Sequence, residues 1–513
     1  MKQYILLLFI LSQTSLLEAQ KASQKGEIIY HVFQRSFYDS NGDNQGDLNG
    51  LKEKLDYLQD LGVTAILLLP LYDADCYHNY FAHDFEKIDP EYGTMQDYIA
   101  LVKAIHRRGM KIYIDMETQY VTEKHAWWQD AVGNLSSTYS DYILFDDAAH
   151  NTPASMVFDL RALNSYDGSA IKVTTVNLRS NKVLAYNKKL FGFFVDPNHD
   201  KKFDDGVDGF RLDHAMDHLD GKPALTHLFA HFWKPLLTHL KQINPRLKNV
   251  AEQSDWKDYG FAYYEQAGVD RVFGFGLQSA IQSFDKQQLI NKADTILTHC
   301  PKGKAPIIFI ENHDLDRFAS VEKNIQKQQV AAALMLLIGG VPAIYYGQEL
   351  GMQGKMGSFS NTDGNDIPRR EAFDWYAGAA GPGMALWYKN TGPCPWWTYT
   401  NLKAQDGISL EEQIRDSSSL FQYYKKLIHL KQSNPALANG QYVLAQNNNP
   451  VVFSFYRIYK NQKVLMVVNL SDATQNAVFT NADKKYRLLW GKNLVINQSV
   501  ALKPYEVVVY EVQ

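Results

Sequence analysis

The stretch Gly62-Val63-Thr64-Ala65-Ile66-Leu67-Leu68-Leu69-Pro70 decides how the rest of the chain is read. It is a continuous apolar run between two breakers, of strand length. Neither of its faces is polar, so both are covered. An amphipathic helix over residues 51–61 precedes it and ends at Gly62. A second helix follows, with Tyr98, Val102 and Ile105 on its inner face, and stops near Gly109. Another buried strand comes next, Lys111-Ile112-Tyr113-Ile114. Buried strands joined by helices give a parallel sheet.

The pattern extends in both directions. Ile28-Ile29-Tyr30-His31-Val32-Phe33 reads as the first strand. Residues 207–212, 249–251, 271–275, 307–310 and 343–346 read as later ones. Eight such strands fit a closed (β/α)8 barrel, an α/β fold, over residues 24–432. Residues 117–205 break the alternation with Asn- and Ser-rich loops and read as a loop-rich insertion after the third strand. Short alternating strands after residue 432 predict a C-terminal antiparallel β-sandwich domain over 433–513.

Bulk properties narrow the function. The 513 residues include 45% hydrophobic side chains, enough for a large core. A net charge of −4 gives no reason to expect a nucleic-acid partner. Residues 1–20 have a basic Lys2, an apolar run over 4–10 and a small residue at Ala19. They read as a secretion signal, too short to anchor in a bilayer, and imply a secreted or periplasmic mature chain with no membrane span. No lipid-anchor Cys follows closely. Cys76, Cys300 and Cys394 allow at most one bridge and have no zinc-site spacing.

In a parallel barrel the strand C-termini and the loops after them build the active site. Four strand ends carry acids: Asp115, Asp213, Glu252, and Asp314 within Glu311-Asn312-His313-Asp314. Crowding like charges costs free energy, which a catalytic site justifies. Two carboxyls are what glycosidic cleavage requires, one as nucleophile and one as proton donor. Arg211 shares a strand face with Asp213 and favours its charged form, which suits a nucleophile. Glu252 has no cation beside it in sequence and should hold its proton longer, which suits the acid/base. His313 and Asp314 then grip sugar hydroxyls.

Gly209-Phe210-Arg211-Leu212-Asp213, Glu252 after its strand, and Asn312-His313-Asp314 resemble, in order and spacing, three short motifs of glycoside hydrolase family 13, the α-amylase family. Ile88-Asp89-Pro90-Glu91-Tyr92-Gly93-Thr94 and the stretch from Gly340 to Glu349 agree, and the resemblance spans about residues 27–440. It implies Asp213 as nucleophile, Glu252 as acid/base and Asp314 as transition-state stabiliser. It also implies Tyr80 as a sugar-stacking ring, with Asp115, Tyr120, Arg211 and His313 binding substrate. The first choice of activity is retaining hydrolysis of α-1,4-glucosidic bonds in starch and maltodextrins. The alternatives are an α-glucosidase or oligo-1,6-glucosidase, a transglycosylase on short α-glucans, and, remotely, a glucan-binding protein without catalysis.

Two departures stand out. Asp115-Met116-Glu117-Thr118-Gln119-Tyr120 replaces the family's Asp-x-x-x-Asn-His, with Gln119 where the Asn often ligates calcium. After the nucleophile, His214-Ala215-Met216-Asp217-His218 lacks the frequent Lys-His pair. Asp39, Asn41, Asp43 and Asp47 alternate oxygen ligands with small or flexible residues, as a Ca2+ loop does. A similar loop in oligo-1,6-glucosidase-like members of the family holds calcium. Asp196, Asn198, Asp200, Asp204 and Asp205 form a related loop without the closing Glu of an EF-hand.

Overall fold

The structure is a computed structural model and describes residues 26–253, 258–359, 361–389, 391, 398, 400–479, 485–492 and 499–513. The signal-like segment 1–20 and Cys394 lie outside these residues. Eight parallel strands close into a barrel: β1 (Ile29–Val32), β2 (Ala65–Leu68), β3 (Lys111–Met116), β4 (Gly209–Leu212), β5 (Val250–Ala251), β6 (Arg271–Phe273), β7 (Ala305–Ile308) and β8 (Val341–Tyr345). Each pairs with its sequence neighbour, and β8 returns to β1 through Ile29↔Ala343.

Alternation along each strand builds the interior in layers. Ile29, Leu67, Tyr113, Val250, Phe273, Ile307 and Ala343 fill the lower barrel as one apolar cluster. Two residues further up the same inward rows stand His31, Asp115 and Glu252. On β4 the inward row runs Gly209, Arg211, Asp213. A Cβ at Gly209 would lie 2.1 Å from the Lys248 carbonyl oxygen and 3.0 Å from the Tyr113 ring, so only glycine lets the strands close there.

The helix read over 51–61 is two, Leu48–Glu53 and Leu55–Leu61, separated at Lys54 and ended by Gly62 with φ of 98°. The next, Met95–Arg107, starts with a Thr94–Asp97 capping box.

The insertion folds as a five-stranded sheet that also recruits Tyr72–Ala74 and Ala82–Ile88 from the loop after β2. One part of the 117–205 reading needs correction. Asn181–Val195 is a 15-residue helix capped by Ser180 and packed on Lys234–Ile243, so it belongs to the barrel wall. Its Asn and Lys residues hid the apolar stripe of Val183, Leu190, Phe191 and Phe194.

At the C-terminus a five-stranded antiparallel sheet faces a two-stranded one, Gln475–Val478 with Ser499–Leu502. Val452, Leu465, Val467 and Val508 pack between them against Phe479 and Val500. The opposite face, with Phe453, Met466 and Val509, joins the core of the barrel.

Candidate active site

Arg211 organises the top of the barrel. Its Nη1 donates to both Asp115 oxygens, at 3.0 and 2.9 Å, and also to Asp213, while Nη2 lies 3.0 Å from Glu252. Strand register makes this inevitable: Asp115 pairs with Arg211 across β3 and β4, and the Glu252 amide donates to the Leu212 carbonyl at 3.1 Å. Asp115, Arg211, Asp213 and Glu252 are all buried. Their burial makes the single guanidinium a strong electrostatic partner for each.

The absence of a cation beside Glu252 in the sequence does not hold in space, since Arg211 reaches it. Burial nevertheless pushes the Glu252 carboxyl up to about 8, with Arg211 opposing and the Asp213 charge adding to the rise. Burial likewise raises Asp115 to about 7, against Arg211 and with Asp213. Oxygens of Asp213 and Glu252 and a ring nitrogen of His214 all lie within 4.8 Å of one another.

Tyr80 closes one side of this group. Its hydroxyl donates to Asp115 at 2.7 Å and lies 2.8 Å from His313 Nε2, and its ring stacks on His313 at 5.6 Å. His313 Nε2 is 3.1 Å from Asp314, and the Asn312 side chain accepts the Asp314 amide at 3.0 Å. The structure brings Tyr80, Asp115, Arg211, Asp213, Glu252, His313 and Asp314 together in one place.

Tyr120 behaves differently. Its ring is buried, edge-on to His214 at 6.0 Å, and its hydroxyl donates to Asp220 at 2.8 Å rather than to the central carboxylates. Gln119 accepts the Thr118 amide at 2.6 Å and donates to the Asp213 carbonyl, bracing the backbone of the central Asp.

Three site residues were given no role by the sequence reading, which named His214 only within the run after Asp213. His214 adopts a left-handed backbone, φ 40°, with its amide 3.5 Å from Glu252 and Nδ1 3.8 Å from Asp213. Arg370 donates to the His313 carbonyl at 2.9 Å and to Asp314 at 3.2 Å. His78 lies two residues before Tyr80, its Nδ1 accepting the Tyr80 amide at 3.2 Å. The Arg369-Arg370 pair in the loop after β8 was the available signal, because that loop opens onto the site.

The Asp39–Asp47 loop lies apart, after β1. Asp39 accepts the amides of Asn41 and Gly42 through one oxygen, at 3.0 and 2.7 Å, and that of Asn44 through the other, at 2.8 Å. Asn41 accepts the Asp43 amide at 2.9 Å, and Asp43 that of Gln45 at 2.7 Å. Asp47 caps the helix Leu48–Glu53 through the Gly50 amide at 2.8 Å and binds Ser40.

The family model of the alpha-amylase catalytic domain matches residues 31–440. Alpha-amylase 3 of Dictyoglomus thermophilum is 28% identical over 497 residues, covering 95% of this chain and 93% of its own. An oligo-1,6-glucosidase of Bacillus cereus is 25% identical over 575 residues, covering 96% and 100%. The crystal structure of an alpha-amylase from H. orenii superposes with a TM-score of 0.78 at 26% identity, covering 95% of this chain and 100% of that one.

Proposed function

Because the chain belongs to the α-amylase family, enzymes that act on the O-glycosyl bonds of α-glucans, we propose that it hydrolyses α-1,4-glucosidic bonds of starch and maltodextrins with retention of anomeric configuration. The observation that carries this reading is the approach of Asp213 and Glu252 oxygens to within 4.8 Å. Retaining glycosidases hold their carboxyls about 5–5.5 Å apart, inverting ones about 6.5–9.5 Å to leave room for water.

Asp213 attacks the anomeric carbon as the bond to the leaving oxygen breaks. Glu252, kept protonated near neutrality by burial, gives its proton to that oxygen. The glycosyl–Asp213 ester then breaks when Glu252, now a carboxylate, takes a proton from water attacking the same carbon. Asp314, held by Arg370 and beside His313, stabilises charge and hydroxyls on the retained sugar. Arg211 and Tyr80 hold Asp115 beside them.

Soluble starch, maltoheptaose, panose and pullulan, followed over time, test the reading. Maltooligosaccharides or glucose from starch, initially as the α-anomer, support it. Lengthened chains point to transglycosylation, and starch binding without turnover points to a non-catalytic protein.

We also propose a structural Ca2+ in the Asp39–Asp47 loop. Its side-chain donors are oxygens, the chemistry of a hard cation, and the carboxylates of Asp39 and Asp43 and the amide of Asn41 are already set at alternate positions by backbone amides. A cation bound only to the folded state stabilises by mass action. A chelator should therefore lower Tm by roughly 5 °C, restored by Ca2+. In Asp43→Ala the chelator should change nothing. An unaltered wild-type Tm would remove the ion from this loop. Residues 1–20 are proposed as a secretion signal. Among the described residues no helix is long and apolar enough to cross a membrane.

A further inference from the structure

A cavity of about 1100 Å³ opens at the end of the barrel away from the carboxylates, where the strand N-termini meet the C-terminal domain. Lys111, Ala305 and Val341, the first residues of β3, β7 and β8, line it on the barrel side. Gly440 and Arg457, from the strand Val452–Tyr459, line it on the other. Glu27, Arg107 and Arg108 complete its charged lining. No aromatic ring lines it among the described residues, so a glucan has nothing to stack on there.

The wall carries positive charge that the protein leaves unbalanced. Arg107, Arg108, Lys111 and Arg457 face a single carboxylate, Glu27. One Glu27 oxygen lies 2.5 Å from Arg271 and the other 2.5 Å from Lys111. Burial raises this carboxyl, but Arg271 and Lys111 outweigh it and hold it down to about 2, so its charge is already shared. Arg108 pairs with Asp56 at 2.8 Å. Arg107 is exposed and has no acid partner among the described residues.

Arg457 stands out among the buried arginines. Its guanidinium donates to the Leu337 carbonyl at 2.9 Å and to that of Gly440 at 2.5 Å. Nearby, the buried Lys431 donates to the Leu336 carbonyl at 2.9 Å. Carbonyls at a helix end carry only about half a charge, so two whole charges meet no whole counter-charge. The six other buried arginines described, Arg35, Arg211, Arg271, Arg317, Arg369 and Arg370, each have a carboxylate partner. Burial alone pushes Arg457 down to about 10, and burial together with Arg457 pushes Lys431 well below its usual range. A buried charge without a counter-ion is costly, and an anion seated in the adjoining cavity offsets that cost. The sequence just before Gly26, Lys21 to Lys25, contains no acid to serve instead.

We propose that this cavity binds phosphate, free or carried on a small organic molecule, with Arg107, Arg108 and Lys111 donating to its oxygens and Arg457 supplying charge from the wall. Guanidinium forks match a tetrahedral oxyanion with paired N–H donors. Small-molecule sites span about 300–1,000 Å³, so the cavity has room for an organic body beside the phosphate. Arg457 belongs to the C-terminal sheet and its partner Leu337 to the barrel helix Ile325–Leu337. A bound anion therefore strengthens the joint between the two domains and stabilises the folded state by mass action. The site does not depend on the reaction at the other end of the barrel.

Equilibrium dialysis of the mature protein against radiolabelled inorganic phosphate, at fixed ionic strength, tests the site. Wild type should bind one phosphate per chain, saturating below about 10 mM. Arg107→Glu changes an exposed side chain and should weaken binding by about tenfold or more, the scale of a lost charged hydrogen bond. Its starch turnover and its Tm without phosphate should match wild type. Phosphate should raise the wild-type Tm above its value in chloride of equal ionic strength, and should not do so for Arg107→Glu or Arg457→Met. If Arg457→Met does not fold, Arg107→Glu decides alone. Adenosine 5′-monophosphate competing with the label separates the two ligand sources: displacement much tighter than by phosphate identifies a phosphorylated organic molecule, and equal displacement identifies the free ion. No saturable binding to wild type, or undiminished binding to Arg107→Glu, would overturn the site.

Discussion

Asp213→Asn should lower kcat on maltoheptaose by about 10^4-fold or more, the scale on which loss of a catalytic nucleophile is measured. That corresponds to about 5 kcal/mol of barrier. The amide is nearly isosteric with the carboxylate, and Arg211 keeps Asp115 and Glu252 as partners. The Gln119 contact to residue 213 is to its backbone carbonyl and survives. The variant should therefore fold with a Tm close to wild type. Substrate binding should persist, because Tyr80, His313 and Asp314 are untouched. No covalent glycosyl-enzyme should form, which mass spectrometry of the enzyme quenched with a slow 2-fluoroglycosyl substrate would show directly. A variant that retains a tenth of wild-type activity would remove Asp213 from the reaction.

Glu252→Gln should cost about 10^2–10^4-fold in kcat on natural chains, the usual worth of a general acid–base. On α-glucosyl fluoride, whose leaving group needs no proton, the first step should be largely spared. The pH profile provides the sharper readout. With Glu252 as the proposed acid, the free enzyme should be competent when Glu252 is protonated. Burial pushes this carboxyl up to about 8, with the Asp213 charge adding to the rise and Arg211 opposing it. So kcat/KM should be sustained through neutrality and fall as pH rises through about 8. The buried carboxyls titrate as a group, so this limb belongs to the coupled set rather than to one oxygen. In Glu252→Gln the alkaline limb should vanish. If it stays in place, the limb reports another group, with Asp115, raised to about 7 by burial, the nearest candidate. Asp213→Asn adds a cross-check through the residual activity. Removing the negative charge that raises Glu252 should move the limb to lower pH.

The corrections share one origin. The helix Asn181–Val195 was legible only once its apolar stripe met the barrel, because Asn and Lys residues interrupt that stripe and polar loops flank the segment. Glu252 looked cation-free along the chain, yet Arg211 on the adjacent strand reaches it at 3.0 Å. Tyr120 occupied the place of a substrate ligand by alignment, but its hydroxyl turns to Asp220, a partner 100 residues away. Electrostatic and hydrogen-bond partners depend on distance in space, which spacing in sequence does not report.

By itself, the sequence determined the barrel, the antiparallel C-terminal domain and the identity of the central residues. Periodicity explains this. A strand buried on both faces shows as an unbroken apolar run, and a residue ending such a run in a parallel barrel stands at the active-site face. Alternation then set Asp115, Arg211, Asp213 and Glu252 on inward rows without any coordinates. Only the tertiary structure decided which carboxyls carry a raised proton affinity, what Tyr120 and Gln119 touch, and how the inserted sheet meets the loop after β8. Those outcomes come from desolvation and from contacts between distant loops, as in the meeting of Asn164 with Asn361 and of Tyr166 with Trp387. Such loops carry no periodic signal, because their conformation is fixed by what they touch.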